Sequence, residues 1–477
     1  MSPVTMPVRN PRTGAFDHVI RPLCPEDLDA EAIRLRGAQP AWAALGVEGR
    51  AAVLGAWQEE LAKARDALVR AVLTDTGRMR ESVLEVDATI RMVERWRAQA
   101  PGLLTQPAER PSAVIPAVAV ATEGVPYPLV GVISPWNFPL LLSLIDSVPA
   151  LLAGCAVLVK PSEVTPRFIG PLMETVRAVP ELASVLSVVE GAGATGAALV
   201  ERVDAVCFTG SVATGRKVAE GAARAFIPAF LELGGKDPGI VTATADLPRA
   251  AAALLSGSVT NAGQACQSIE RIYVDRRVAE PFLAELTRRA EAMRLSWPDP
   301  AEGEIGPIIF DRQAEIIADH IADAVAKGAR ILTGGEIERH GGGCWVRPTV
   351  LSGVDHSMRI MTEESFGPLL PVMEFDTEEE AVGLANDTAY GLSACVFAAD
   401  EADARRIAAR LEVGAVSIND ASLTSFIHDA EKNSFRLSGM GGSRMGAAGL
   451  TRFLRKRALL INRLPGPAPW WLAGPAT

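Results

Sequence analysis

Short apolar runs alternate with helix-compatible segments through the middle of this chain, and that alternation narrows the possible folds more than any other feature. Strand-like runs lie at 129–134, 156–159, 185–189 and 205–208, with helix-like segments at 140–152, 168–176 and 215–224. Strands separated by helices require crossovers, so the spacing predicts parallel βαβ units and an α/β fold. A second alternating region begins after Gly235. It has strands near 239–241 and 271–274, helices at 278–295, 314–327, 378–386 and 401–411, and a strand at 414–419. Helical periodicity also marks 48–73 and 81–96, whereas 112–121 alternates only weakly and carries Pro116, which suits an edge strand or projecting hairpin. The glycine clusters at 334–343 and 439–449 read as loops.

A chain of 477 residues, 48% hydrophobic, exceeds one ordinary domain and implies two or three units. The net charge of −10 argues against nucleic-acid binding by bulk attraction. Cysteines at 24, 155, 207, 266, 344 and 395 show neither metal-ligand nor CxxC spacing, so no metal site and no disulfide framework is expected. Free thiols and a start without a basic, then apolar, pattern suit the cytoplasm. The apolar stretch 129–159 is broken by three prolines, Asn137 and Asp146, so no membrane span is expected. The Trp470-Trp471 tail is too short to span and suits packing on the protein or on a partner subunit.

Chemistry concentrates at Asn261-Ala262-Gly263-Gln264-Ala265-Cys266, where a cysteine follows a Gly-Gln turn after an Ala-rich helical run. On a flexible turn at a helix edge, such a thiol is expected to be partly exposed and easily ionised. Its companions are Pro135-Trp136-Asn137-Phe138-Pro139, Lys160-Pro161-Ser162-Glu163, Phe208-Thr209-Gly210-Ser211, Leu231-Glu232-Leu233-Gly234-Gly235-Lys236 and Glu363-Glu364-Ser365-Phe366-Gly367-Pro368. In this order and spacing the set resembles the NAD(P)-dependent aldehyde dehydrogenase superfamily, from Asn10-Pro11 to Ser438-Gly439-Met440-Gly441. The resemblance implies a Rossmann-like cofactor domain (1–107 and 127–232), an α/β catalytic domain with a parallel sheet (233–432), and a small β-ribbon oligomerisation domain with its tail (108–126 and 433–477). It also implies a homodimer or homotetramer.

Two segments compete for the cofactor's pyrophosphate. Gly191-Ala192-Gly193-Ala194-Thr195-Gly196 is a literal GxGxxG, but the next strand ends in Thr209-Gly210 without the acid that would hold the ribose. The resemblance points instead to Gly210, Ser211 and Gly215, where a helix N-terminus can meet phosphate oxygens. It also places Ser134, Trp136, Lys160, Glu163, Leu233, Glu364 and Phe366 around the cofactor. Of these, Glu163 would hold the adenosine ribose, Glu364 the nicotinamide ribose, and Phe366 would pack near the nicotinamide. A carboxylate at Glu163 should repel a 2′-phosphate, so NAD is expected ahead of NADP.

The same resemblance assigns catalysis to Cys266, Glu232 and Asn137. Cys266 adds to the aldehyde carbonyl, the adduct collapses to a thioester, and water releases the acid. Asn137 and the Cys266 backbone N–H would hold the oxyanion, and Glu232, partly desolvated, would activate the water. Phe138, Leu142, Ile145, Ala265, Phe426 and Ile427 would line the substrate's approach. Their apolar character favours an aliphatic, aromatic or terpenoid aldehyde, while His428 and nearby arginines keep a carboxylated one open. Asn419 resembles another residue of the active-site region. The chain departs from the family at Val259 and at 433–437, where Pro-Phe-Gly-Gly is usual, and this end looks more like the fatty- and aromatic-aldehyde branch. A CoA-acylating semialdehyde dehydrogenase, a thiol esterase and a catalytically silent binding protein on the same scaffold are the alternatives. The presence of Glu232 argues against the first.

Overall fold

The computed structural model describes residues 5–105 and 108–465; the Trp470-Trp471 tail lies outside them. Two parallel sheets dominate, each with its own apolar core. The first has six strands, in the order Gly439–Met440, Ala229–Glu232, Ala205–Thr209, Leu129–Ile133, Ala156–Lys160, Leu186–Val188. Only Gly439–Met440 runs antiparallel. From Leu129–Ile133 the chain winds outward one way through Ala156–Lys160 and Leu186–Val188. It then returns to Ala205–Thr209 on the other side and continues to Ala229–Glu232. The direction therefore switches between Leu129–Ile133 and Ala205–Thr209, which opens a crevice at their C-terminal ends.

The second sheet has seven strands, in the order Arg330–Thr333, Thr349–Ser352, Leu369–Phe375, Ile269–Asp275, Asp237–Val241, Ser393–Phe397, Ala415–Ile418. All pairs are parallel except the edge pair Arg330–Thr333 with Thr349–Ser352. The two sheets are joined by the short segment Leu233-Gly234-Gly235-Lys236, which carries the chain directly from Glu232 into Asp237. That join sets the C-terminal edge of the first sheet beside the N-terminal edge of the second, where Cys266 precedes Ile269–Asp275 and Glu364 precedes Leu369–Phe375.

Several elements differ from the sequence reading, each for a local reason. The segment 48–73 is two helices, Gly46–Lys63 and Arg65–Thr76, separated at Ala64. The segment 140–152 is also two, Pro139–Leu144 and Ser147–Ala153; Asp146 at the break is buried and accepts from both Arg444 and Arg452. The helix Pro25–Ala44 has no clear apolar stripe, which is why periodicity does not reveal it; Cys24 caps it by accepting from the Asp27 amide. The glycine-rich stretches are not plain loops: one holds the hairpin Ile337–His340 and Gly343–Val346, the other the strand Gly439–Met440 and the helix Ala448–Thr451.

The weak strand at 112–121 is shifted. The strand runs Val118–Pro126, and Pro116 sits in the turn before it. It pairs along its whole length with Leu454–Asn462, and Arg457 bonds Glu123 at 2.7 Å. Much of this ribbon lies outside both cores, with Leu460 72% exposed. Among the described residues no helix is long and apolar enough to cross a membrane.

Candidate active site

The helix Leu247–Val259 ends where Asn261, Ala262 and Gly263 take φ values of 56°, 54° and 72°. Three successive left-handed residues, two of them not glycine, are costly, on the order of 1–2 kcal/mol for each residue with a Cβ. Buried hydrogen bonds hold them there. Gln264 is fully buried: its Nε2 donates to Asn261 O at 2.9 Å and to Pro307 O at 3.2 Å, and its Oε1 accepts from Ile309 N at 2.8 Å. Asn261 Nδ2 donates to Gln264 O at 2.9 Å and to Asn137 O at 3.0 Å. Gly263 is required, because a Cβ would overlap the Gly367 carbonyl. The nucleophile turn is thus rigid, not flexible as its sequence suggests.

Cys266 sits at the end of this turn and keeps partial exposure. Burial among protein atoms pushes its thiol up to about 11, and Glu232 and Asp237 add to the rise while Lys432 and Arg444 oppose it. The expectation of an easily ionised thiol therefore fails for the free protein, because desolvation outweighs the nearby cations.

Asn137 is 3% exposed, and its Nδ2 donates to Gln264 O at 3.0 Å. An amide nitrogen carries two hydrogens, so one remains for another acceptor. Its loop is propped from behind by the buried pair Arg78–Glu85. Arg78 donates to Asn137 O and lies 4.5 Å above the Phe138 ring, while Glu85 accepts from Leu140 N and Leu141 N at 2.9 and 3.1 Å. A charge just before a long helix and another two turns into it gave no sign of this role in the sequence.

Glu232 ends its strand, and its Oε2 accepts from Ser434 Oγ at 2.8 Å. It is not paired with Lys236, whose buried ammonium bonds Glu270 at 2.7 Å and Ser365 Oγ at 3.1 Å. Glu270 also accepts from the backbone amides of Ser365 and Phe366, at 2.7 and 2.8 Å. A Cβ on Gly235 would come within 2.6 Å of Cys266 O, so this glycine lets the segment after Glu232 lie against the nucleophile turn.

The dinucleotide candidates surround the crevice at the sheet's switch point. Ser211 caps the helix Val212–Ala225 through Thr214 N at 3.3 Å, and a Cβ on Gly215 would lie 2.5 Å from Leu233. Lys160 donates to Gly191 O at 2.8 Å and lies 3.4 Å from Glu163. Trp136 and Phe366 pack edge to face at 5.4 Å. Glu364 accepts from Gly235 N at 3.1 Å, with its carboxyl pushed up to about 8 by burial and then by Glu270. Ser134 Oγ is 2.7 Å from Ser143 Oγ. The literal GxGxxG follows the edge strand Leu186–Val188, but its helix folds back so that Gly196 lies close to Ile133 and Lys160 at the same crevice. An exposed helix N-terminus, a close glycine approach and carboxylates at both ends suit a dinucleotide at the first site.

On the substrate side, Phe138, Leu142, Ile145 and Ala265 are partly buried. Phe426 and Ile427 are 70% and 51% exposed; their segment is tied to the nucleophile turn by Thr424 and Ser425, which donate to Gln267 Oε1 at 3.2 and 2.9 Å. Asn419 turns its side chain away to accept from Ala398 N at 3.0 Å, a backbone-fixing task. No group of acidic, histidine or cysteine residues among those described could hold a metal ion.

A doubly wound sheet with a crevice at its switch point, a second parallel sheet and a half-exposed cysteine between them suit a nicotinamide-dependent oxidoreductase. The chain belongs to the aldehyde dehydrogenase family, whose sequence profile matches residues 2–459. It is 37% identical over 442 residues to a Mycolicibacterium smegmatis protein provisionally assigned as an NADP(+)-dependent succinate-semialdehyde dehydrogenase, covering 92% of this chain and 85% of that one. It is 38% identical over 454 residues to the 4,4′-diapolycopene aldehyde oxidase of Methylomonas sp, covering 94% and 84%. The solved structure of Anabaena variabilis PutA, itself a provisional aldehyde dehydrogenase, matches with a TM-score of 0.97 and 55% identity over 98% of this chain and 100% of that one. Other solved members of the fold hold NAD+. The protein is an NAD(P)-dependent aldehyde dehydrogenase that oxidises an aldehyde to the acid.

Proposed function

We propose that the substrate is an aldehyde with an apolar body, oxidised with NAD in preference to NADP, and that the thioester is released by water. The apolar, partly buried lining from Phe138 to Ile145 carries the substrate reading. The named substrates of the relatives differ in charge and size, so none is transferred to this chain. In this reading Cys266 loses its proton to Glu232 and adds to the carbonyl carbon. The carbonyl π pair moves to oxygen, where Cys266 N–H and the free hydrogen of Asn137 Nδ2 receive it. Trp136, Lys160, Glu163, Gly210, Ser211, Glu364 and Phe366 would hold the nicotinamide cofactor, which when bound would supply a hydride acceptor for the oxidation to the thioester. Glu232, held by Ser434, first gives the cysteine's proton up to solvent; it then takes a proton from water as that water attacks the thioester, and returns it to the Cys266 sulfur when the C–S bond breaks. The test is a panel of aliphatic, aromatic and ω-carboxylated aldehydes with each cofactor, with and without CoA. A preference for the carboxylated members, or acyl-CoA as product, would overturn the reading.

Cofactor choice rests on charge. A 2′-phosphate beside Glu163 would meet a repulsion of roughly 1–3 kcal/mol at a surface-like dielectric, partly offset by Lys160 at 3.4 Å from that carboxylate. Glu163→Gln should shift the ratio of kcat/KM for NADP over NAD upward by about tenfold, chiefly through KM. An unchanged ratio would mean that Glu163 does not face the ribose.

The exposed ribbon of Val118–Pro126 and Leu454–Asn462 supports pairing with a second copy, as a homodimer or homotetramer. Sedimentation as a monomer at micromolar concentration would contradict this. The six free cysteines fit a cytoplasmic enzyme, which fractionation of cells would check.

A further inference from the structure

The segment from Lys432 to Met440 crosses the cleft and is tied down along its length. Lys432 N donates to Ser443 Oγ at 3.1 Å, Ser434 Oγ to Glu232 at 2.8 Å and Phe435 N to Gly391 O at 2.9 Å. Gly439 then pairs with Glu232 in the sheet, and Leu233 N donates to Ser438 O at 2.8 Å. The backbone of Lys432 is therefore fixed two residues from the side chain that holds Glu232.

The Lys432 side chain reaches inward. Its Nζ is shielded from water and has no hydrogen-bond partner among the described residues. Other buried cations near the cleft are all matched: Lys160 by Gly191 O and Glu163, Lys236 by Glu270, Arg444 and Arg452 by Asp146. A buried ammonium without an anion is costly, and it is tolerated where an anion forms or arrives during function. Among the charges acting on the Cys266 thiol, Lys432 is the strongest; Glu232 and Asp237 oppose it and Arg444 assists. Lys432 also acts on Asp237 and on His428, which burial and Arg95 push down to about 4, so His428 is neutral and does not compete as a cation.

We propose that Lys432 is a positioning residue for the nucleophile: its ammonium is the counter-ion of the negative charge that develops at Cys266, first on sulfur and then on the adduct's oxygen. The proton leaves Sγ for the Glu232 carboxylate, the electron pair stays on sulfur, and nothing is oxidised in this step. Buried thiol and buried ammonium each leave the other's need unmet in the resting protein, and ionising the thiol satisfies both. The proposal rests on Cys266 being the nucleophile.

Alkylation of Cys266 by iodoacetamide in the free protein, followed on its peptide by mass spectrometry between about pH 6 and pH 10, reads this directly and requires no turnover. Lys432→Met and Lys432→Gln should move the profile upward by about one pH unit or more, so that alkylation near neutral pH slows about tenfold. Lys432→Arg should stay near the wild type. Melting temperature and NAD affinity should be retained, and kcat/KM for a neutral aldehyde should fall in parallel with alkylation. An unchanged alkylation profile in both neutral variants would overturn the proposal. So would an unchanged profile with a raised KM confined to carboxylated aldehydes, since the ammonium would then serve the substrate. Activity surviving in Cys266→Ala would instead defeat the parent reading, and it is measured separately.

Discussion

Cys266→Ala should reduce NAD(P) reduction by at least about 10⁴-fold while leaving the fold and cofactor affinity intact. The side chain makes no hydrogen bond that supports the turn; that task belongs to Asn261, Gln264 and Gly263. Removing Sγ therefore deletes the covalent route without collapsing the site. Steady-state absorbance of reduced cofactor, with NAD binding by fluorescence and a thermal melt alongside, checks it. Activity within tenfold of wild type would refute the covalent mechanism. Cys155 and Cys207 provide the contrast. Both are fully buried in the first core, and replacing either with serine should lower stability by about 1–3 kcal/mol with little effect on kcat per folded molecule.

Glu232→Gln should separate the two half-reactions. The variant keeps the side chain's size and can still bond Ser434, so geometry is preserved and only the proton acceptor is lost. If Glu232 acts mainly on the deacylating water, rapid mixing should show about one equivalent of reduced cofactor per site in a burst. Turnover should then slow by about 10²–10⁴-fold. Because the Cys266 thiol is raised to about 11, the first step also needs a base, and the burst in this variant should quicken as pH rises toward that value. A burst lost at every pH would assign Glu232 an indispensable part in the first step as well. Steady turnover near wild type would remove it from the mechanism.

The sequence was most informative where chemistry is local. The alternation of apolar runs and helices fixed two parallel sheets, because a strand buried on both faces must be apolar throughout. The motifs around Asn137, Glu232 and Cys266 marked the ends of strands and helices, where side chains meet a cleft. Boundaries set by tertiary contacts were not legible. The break at Ile145–Asp146 reflects a carboxylate held by Arg444 and Arg452, about 300 residues downstream. The crevice itself depends on strand order, since it opens at the switch between Leu129–Ile133 and Ala205–Thr209. The GxGxxG pattern carries no information about where its strand lies in the sheet.

The sequence by itself determined the α/β class and the reaction family, and it named the candidates Cys266, Glu232 and Asn137. Tertiary structure alone decided the state of those residues. It made the nucleophile turn rigid through Gln264 and Asn261, raised the Cys266 thiol by burial, gave Glu232 its partner in Ser434, and set Arg78 and Glu85 behind Asn137. It also shielded the Lys432 ammonium from water without a hydrogen-bond partner among the described residues. The physical reason is range. A turn or a strand is specified by neighbours in sequence, whereas desolvation and charge pairing depend on which distant segments the fold brings together.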